Sequence, residues 1–187
     1  MIRPLRKDAA ERREALLKAA SEAFARDGLD TPLHLIAEQA GVGRATLYRN
    51  FADRSELALA VFLEQIDDLG RRTRERLDEP EVFLWFLGQM VELMIRSAGL
   101  STAIRDLRDE ALAPIRAGLK QAGGEALLVS QKAGRVRADL TVEDIRVIAL
   151  MLGAPSRTAA VGDRDALSRR TLALVLDAVR PQGGASA

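Results

Sequence analysis

Apolar positions recur at helical spacing along most of this chain. Between Asp8 and Asp27, Leu16, Ala20, Ala23 and Phe24 fall at i, i+4, i+7 and i+8, and Gly28 closes the pattern. That predicts a first helix. Leu33, Ile36, Ala37 and Ala40 predict a short second helix, with Thr31 as its N-cap, Pro32 in its first turn and Gly41 at its end. Arg44 to Asn50 predicts a third, also short, with Leu47 and Phe51 turned inward. Asp53 with Glu56 three residues on is a capping-box variant. It opens a long fourth helix, Arg54 to Leu77, with Phe62, Ile66, Leu69 and Leu77 on one apolar line. D-E-P-E interrupts the chain next, and Pro80 suits the first turn of a fifth helix.

That fifth helix is the most apolar stretch. Val82, Phe83, Leu84, Trp85, Phe86, Leu87, Met90, Val91, Leu93, Met94 and Ile95 cover nearly its whole circumference, as in a helix buried on several sides. Ser101 opens a sixth segment with Ile104 and Leu107 inward, and Pro114 breaks it. A seventh runs to about Lys132. Its glycines Gly118, Gly123 and Gly124 predict a kink, a close helix crossing or a hinge. Thr141 is the expected cap of an eighth helix. There Val142, Ile145, Ala149 and Leu152 form one stripe, with Ile148 and Met151 beside it. Pro155 is expected to kink or end it. In the last helix Leu167, Leu174 and Ala178 form one stripe, and Leu172, Leu176 and Val179 another. No strand pattern interrupts this sequence of helices. The expected class is all-α, with about nine helices.

Composition narrows the class further. Of the 187 residues, 48% are hydrophobic and 29% charged, as in a soluble globular protein. The absence of cysteine excludes disulfides and Cys-based zinc sites, and suits a cytoplasmic location. With one histidine, His34, no His-based transition-metal site is expected, and no cofactor is expected. No convergent set of nucleophile, base and metal ligands points to an enzyme. A net charge of +1 means that any nucleic-acid surface must be a local patch. The basic lead M-I-R-P-L-R-K is not followed by the apolar core of a signal peptide. Its Arg3, Arg6 and Lys7 are either a solvated tail or an arm for a phosphate backbone. No apolar run is long enough to span a membrane.

The patch is found in the second and third helices. Two short helices joined by a tight glycine-containing turn describe a helix-turn-helix. With Leu47 and Phe51 inward, Arg44, Thr46, Tyr48 and Arg49 are left for phosphates and base edges. The run I-A-E-Q-A-G-V-G-R-A-T-L-Y-R-N-F-A-D-R-S-E-L closely resembles the DNA-binding signature of the tetracycline-repressor (TetR) family. Thr31, Ile36, Ala37, Ala40, Gly41, Val42, Thr46, Leu47, Tyr48, Phe51 and Leu57 match it. Departures are Gly43 where Ser or Thr often caps, Ala45 for Gly or Pro, Asn50 for His or Tyr, and Arg54 for Lys. The resemblance covers roughly the N-terminal third of the chain.

It implies a ligand-responsive transcriptional regulator, a repressor in most of the family, that binds a palindromic double-stranded operator as a homodimer. The expected organisation is a DNA-binding domain over 1–53, a ligand-binding and dimerisation domain over 54–182 and a disordered tail over 183–187. Thr31, Tyr48 and Arg54 are the expected phosphate contacts, Tyr48 with its ring packed and its hydroxyl at the surface. Gly43, Arg44, Ala45, Thr46 and Arg49 are the expected remainder of the DNA-binding set. A small, largely apolar effector is expected against Phe62, Trp85, Phe86, Met90, Met94 and Ile104. A fully packed core is the alternative at those positions. Dimerisation is expected through Ile145, Ala149, Leu152, Leu167, Leu174, Val175 and Ala178 of the last two helices. A helical ligand-binding or scaffold protein without operator binding is the alternative for the whole chain.

Overall fold

The computed structural model describes residues 4–97, 100, 110–158 and 161–181, without the side chains of 4–7, 156–158 and 161. Among the described residues there are eight α-helices, one 3-10 turn and no strand. The helices are α1 (Pro4–Asp27), α2 (Leu33–Gln39), α3 (Arg44–Asn50), α4 (Arg54–Arg74), α5 (Val82–Arg96), α6 (Ala113–Lys132), α7 (Asp144–Thr158) and α8 (Arg164–Val179). The expected sixth helix, with Ile104 and Leu107, lies outside the described residues, as do Arg3 and the 183–187 tail. None of the described helices is long and apolar enough to cross a membrane.

The chain forms two compact units, which divide within α4 after Glu64. The first holds α1, α2, α3 and the start of α4. Here α1 begins at Pro4, ahead of the expected Asp8. Proline suits a helix start, because its φ is already helical and its missing N–H has no helical partner there. Arg6 and Lys7 therefore lie on helical backbone rather than on an extended arm. Leu16, Ala20, Ala23 and Phe24 are buried as the periodicity demands.

The N-cap of α2 is Pro32 and not Thr31, and it carries no side-chain hydrogen bond. The Thr31 hydroxyl donates instead to the Gly28 carbonyl at 2.9 Å. The expected cap fails because Thr31 is itself part of the preceding turn. At the other end, Gly41 takes φ +67. Its N–H donates to the Glu38 carbonyl at 3.0 Å and Val42 N–H to that of Ala37 at 3.0 Å. This pair of bonds is the Schellman arrangement, which satisfies the last carbonyls of a helix and requires a positive φ that glycine tolerates. The chain thus leaves α2 in a direction set by its backbone.

The capping box ahead of α4 forms with a one-residue offset. Glu56 N–H donates to Asp53 Oδ1 at 2.8 Å, and Ala52 N–H donates to Glu56 Oε2 at 2.6 Å. Phe51, 1% exposed, anchors the connection, with the Arg13 guanidinium 5.1 Å from its ring centroid.

In the second unit α5 packs against α6, α7 and α8, and α7 packs against both α6 and α8. Eight of the fifteen α5 residues are buried, so the expectation of a central helix holds. Pro80 precedes α5 instead of sitting in its first turn. The start of α5 is buried, and Phe83 N–H finds its acceptor in Ser130 Oγ of α6 at 3.0 Å. Without that hydroxyl a buried amide would be orphaned.

The glycines of α6 mark close crossings in an unbroken helix. A Cβ at Gly118 would lie 2.7 Å from Ile66 Cγ2, and one at Gly123 would lie 3.0 Å from both Phe86 Cε1 and Ile145 Cδ1. Three helices approach α6 there because it offers no side chain. At α7 the carboxylate of Asp144 accepts both the N–H and the hydroxyl of Thr141, at 2.7 and 2.8 Å. The N-terminal bond is thus supplied by Asp144 rather than by the Thr141 hydroxyl. Those two bonds hold the Asp144 carboxyl below its usual pKa, the backbone bond foremost. Pro155 neither ends nor interrupts α7, which continues to Thr158. It sits in the last turn, where only one backbone bond is forfeited.

Candidate nucleic-acid interface

Seven residues make up α3, and Leu47 is the buried one among them. Leu47 at 1% exposure and Phe51 at the same value seat the helix on its own unit. The opposite face is open. Arg44, Ala45, Tyr48 and Arg49 are exposed, and Thr46 is half-buried. Two cations, a methyl group, a hydroxyl and a phenol therefore share a surface that the described residues of this unit leave open. Such groups bond phosphate oxygens and guanine acceptors or touch a thymine methyl.

Gly43 is the N-cap of α3, extended at φ −68 and ψ 147, with no side-chain cap bond. A Cβ there would meet nothing within 4 Å. The helix start is therefore bare, and its close approach to a ligand is unobstructed. Within α3, Arg49 Nε donates to the Ala45 carbonyl at 3.1 Å and Asn50 Nδ2 to that of Thr46 at 2.8 Å. Arg49 thus lies along its own helix and must swing out to reach a base edge.

The three expected phosphate contacts differ. Tyr48 is 56% exposed, so more than half of its surface is open to a partner. Thr31 is 7% exposed, with its hydroxyl proton given to Gly28. Arg54 is half-buried, and its Nη1 donates to the Leu29 and Thr31 carbonyls. His34 is an exposed residue of α2, as its position off the apolar face implied.

The residues considered for an effector are scattered by environment. Phe86 and Met90 are buried, at 0% and 1% exposure. Phe86 stacks on Phe83 with ring centroids 6.2 Å apart and 20° between planes. Met94 is half-buried, Phe62 is buried in α4, and Ile104 lies outside the described residues. Trp85 is half-buried, with cations over its ring. The Arg76 and Arg72 guanidiniums stand 4.7 and 5.4 Å from its ring centroid, and Arg72 also donates to Gln89 at 2.8 Å. Cations gather there because an indole face is electron-rich.

The residues considered for dimerisation also divide. Ile145, Leu152 and Val175 are 2%, 0% and 2% exposed within a single chain, so they belong to its own core. Leu167, Leu174 and Ala178 are exposed, and Ala149 is half-buried. Outside that expected set, Val147 and Leu150 of α7 are 54% and 53% exposed and lie beside Met151 at 48%. Their i, i+3, i+4 spacing is visible in the sequence, but so is that of the buried stripe. Which of two apolar lines faces the core is decided by packing alone.

Comparison with known proteins places this geometry. A family model described as bacterial regulatory proteins, tetR family, matches residues 16–61. A second, described as the C-terminal domain of SbtR-like transcriptional regulators, matches residues 79–181. A TetR transcription regulatory protein from Mycobacterium vanbaalenii is 31% identical, covering 95% of this chain and 100% of that one with a TM-score of 0.65. A TetR transcriptional regulator from Streptomyces coelicolor is 28% identical, covering 91% of this chain and 99% of that one with a TM-score of 0.64. An HTH-type transcriptional regulator of Staphylococcus aureus is 36% identical over 64 residues, which are 34% of this chain and 35% of that protein's length.

Proposed function

Because this chain belongs to the TetR family of transcriptional regulators, we propose that it binds a palindromic operator as a homodimer and is released by a small effector. The observation that carries the proposal is the open face of α3, where Arg44, Ala45, Tyr48 and Arg49 are exposed around a single buried anchor. In a dimer, two such helices enter successive major grooves about 34–36 Å apart. Arg44, Thr46 and Arg49 read base edges, Ala45 and Gly43 allow close approach, and Tyr48 bonds a phosphate. The work belongs in the cytoplasm, beside the chromosome. The partner surface is the exposed apolar stripe of α7 and α8, formed by Val147, Leu150, Met151, Leu167, Leu174 and Ala178.

The effector is placed against α5 and is largely apolar, because Phe86, Met90 and Met94 have no group that ionises and would strip a charged ligand of water without replacement. It acts by binding one of two states of the regulator more tightly. Repression is the direction proposed. Selection of bound sequences from random duplex DNA, followed by a screen for small molecules that release the recovered site, tests the whole reading. Recovery of a two-fold symmetric site is expected. Recovery of no preferred sequence supports the rival reading, a helical scaffold without an operator. Met90→Trp tests the effector's place: it is expected to block release while operator binding persists. If instead the core is packed at Met90, the same change overpacks it at about 1–3 kcal/mol and operator binding falls with stability.

A further inference from the structure

The turn that leads into α2 is held by a side chain from the start of α4. Gly28 takes φ +79 as the chain leaves α1, and four residues later α2 begins with an N-cap that has no side-chain bond. Three carbonyls of this turn nevertheless have donors. Gly28 accepts from the Thr31 hydroxyl at 2.9 Å and from Thr31 N–H at 3.4 Å. Leu29 and Thr31 both accept from Nη1 of Arg54, the latter at 2.6 Å. The donor lies 25 and 23 residues away along the chain.

We infer that Arg54 is a positioning residue: it clamps the start of α2 to the start of α4, and so sets α3 between them. This rests on the reading of α3 as the recognition helix. Seven residues with one buried side chain cannot hold their own direction. That direction is imposed by the turns on either side, Gly41–Val42 and Phe51–Asp53, and by the helices to which those turns lead. Arg54 is the first residue of α4, and its two acceptors lie just ahead of α2. Bonds from a charged donor are stronger than neutral ones, and in a part-buried turn the carbonyls left without a donor are penalised. Arg54 therefore serves the protein's own backbone first.

The two roles separate by salt dependence. A phosphate contact, once removed, weakens all duplexes alike and lowers the slope of log K against log salt by about one unit. A positioning residue, once removed, spoils the fit of α3 and leaves the slope in place. For Arg54→Ala we expect operator affinity to fall about tenfold or more, with binding to random duplex much less affected and the slope unchanged. Arg54→Met keeps the reach of the side chain without its donors, and is expected to lose discrimination as Arg54→Ala does, with the slope again unchanged. Equal weakening on both duplexes with a reduced slope would overturn the inference. Should Arg54→Ala fail to fold, Arg54→Met decides alone, and operator discrimination as in the wild type overturns it. Hydrogen exchange without DNA reads the clamp directly. Both variants should expose the Thr31 and Leu35 amides, which donate to Gly28 and Pro32, while leaving α5 protected. Unchanged protection there also overturns the inference. If the wild type prefers no sequence, the recognition reading fails, and hydrogen exchange still decides the clamp.

Discussion

Set side by side, α3 and α5 are opposite uses of a short helix. One buries a single residue of seven, the other eight of fifteen. In α3 the side chains that matter point away from the protein, and their positions are held from outside, by the Schellman turn at Gly41 and the capping box at Asp53. In α5 the side chains that matter are the packing itself. Even one of its first backbone amides, that of Phe83, is satisfied by a neighbouring helix, through Ser130. A surface meant to meet a partner has to be supported by turns, because it cannot be supported by burial. A core needs no such punctuation, and it tolerates no gap.

The comparison can be broken at several levels. Phe86→Ala is expected to cost about 3–5 kcal/mol of stability in chemical denaturation. Phe86 is 0% exposed and in tight contact with Gly123. An equally large loss from an α3 surface substitution such as Tyr48→Ala would erase the contrast. Next come the adjacent residues Leu174 and Val175, 53% and 2% exposed. Leu174→Glu is expected to give a folded monomer by sedimentation, since it places a charge on the proposed partner surface. Val175→Glu is expected to unfold the chain, since it buries one. A Leu174→Glu protein that sediments like the wild type removes α8 from the interface. The smallest effect expected is at Gly43. Serine there has room and a compatible φ, and would cap α3 with a gain of a few tenths of a kcal/mol, about what Gly-to-Ser caps give. Thermal melting detects it; a loss of stability would mean that the start of α3 is constrained by more than its cap.

Much of this was legible beforehand, and the exceptions have a common cause. The helix boundaries around Gly41 and Asp53 were readable because turn and cap chemistry is local. The buried faces of α1 and α5 were readable because apolar periodicity is local too. Thr31 was misread because two structures compete for its hydroxyl, a cap on α2 and the turn at Gly28, and the turn prevails. The carbonyl acceptors of Arg54 were not legible because they lie more than twenty residues away in sequence. The two arginines on the Trp85 ring were not legible because nothing in its neighbourhood of sequence announces them. Which apolar line of α7 is exposed was hidden for the same reason. Ile145 and Val147 are both apolar and two residues apart, and only the approach of α5 and α6 decides which is inside.

The most direct test is equilibrium binding of Arg44→Ala to the duplex recovered by selection and to random duplex. Arg44 is exposed at the start of α3 and is assigned to a base edge. The expected result is a loss of about 1–3 kcal/mol on the selected duplex, with the preference at one base position relaxed. Equal losses on the selected and the random duplex would contradict base reading by α3.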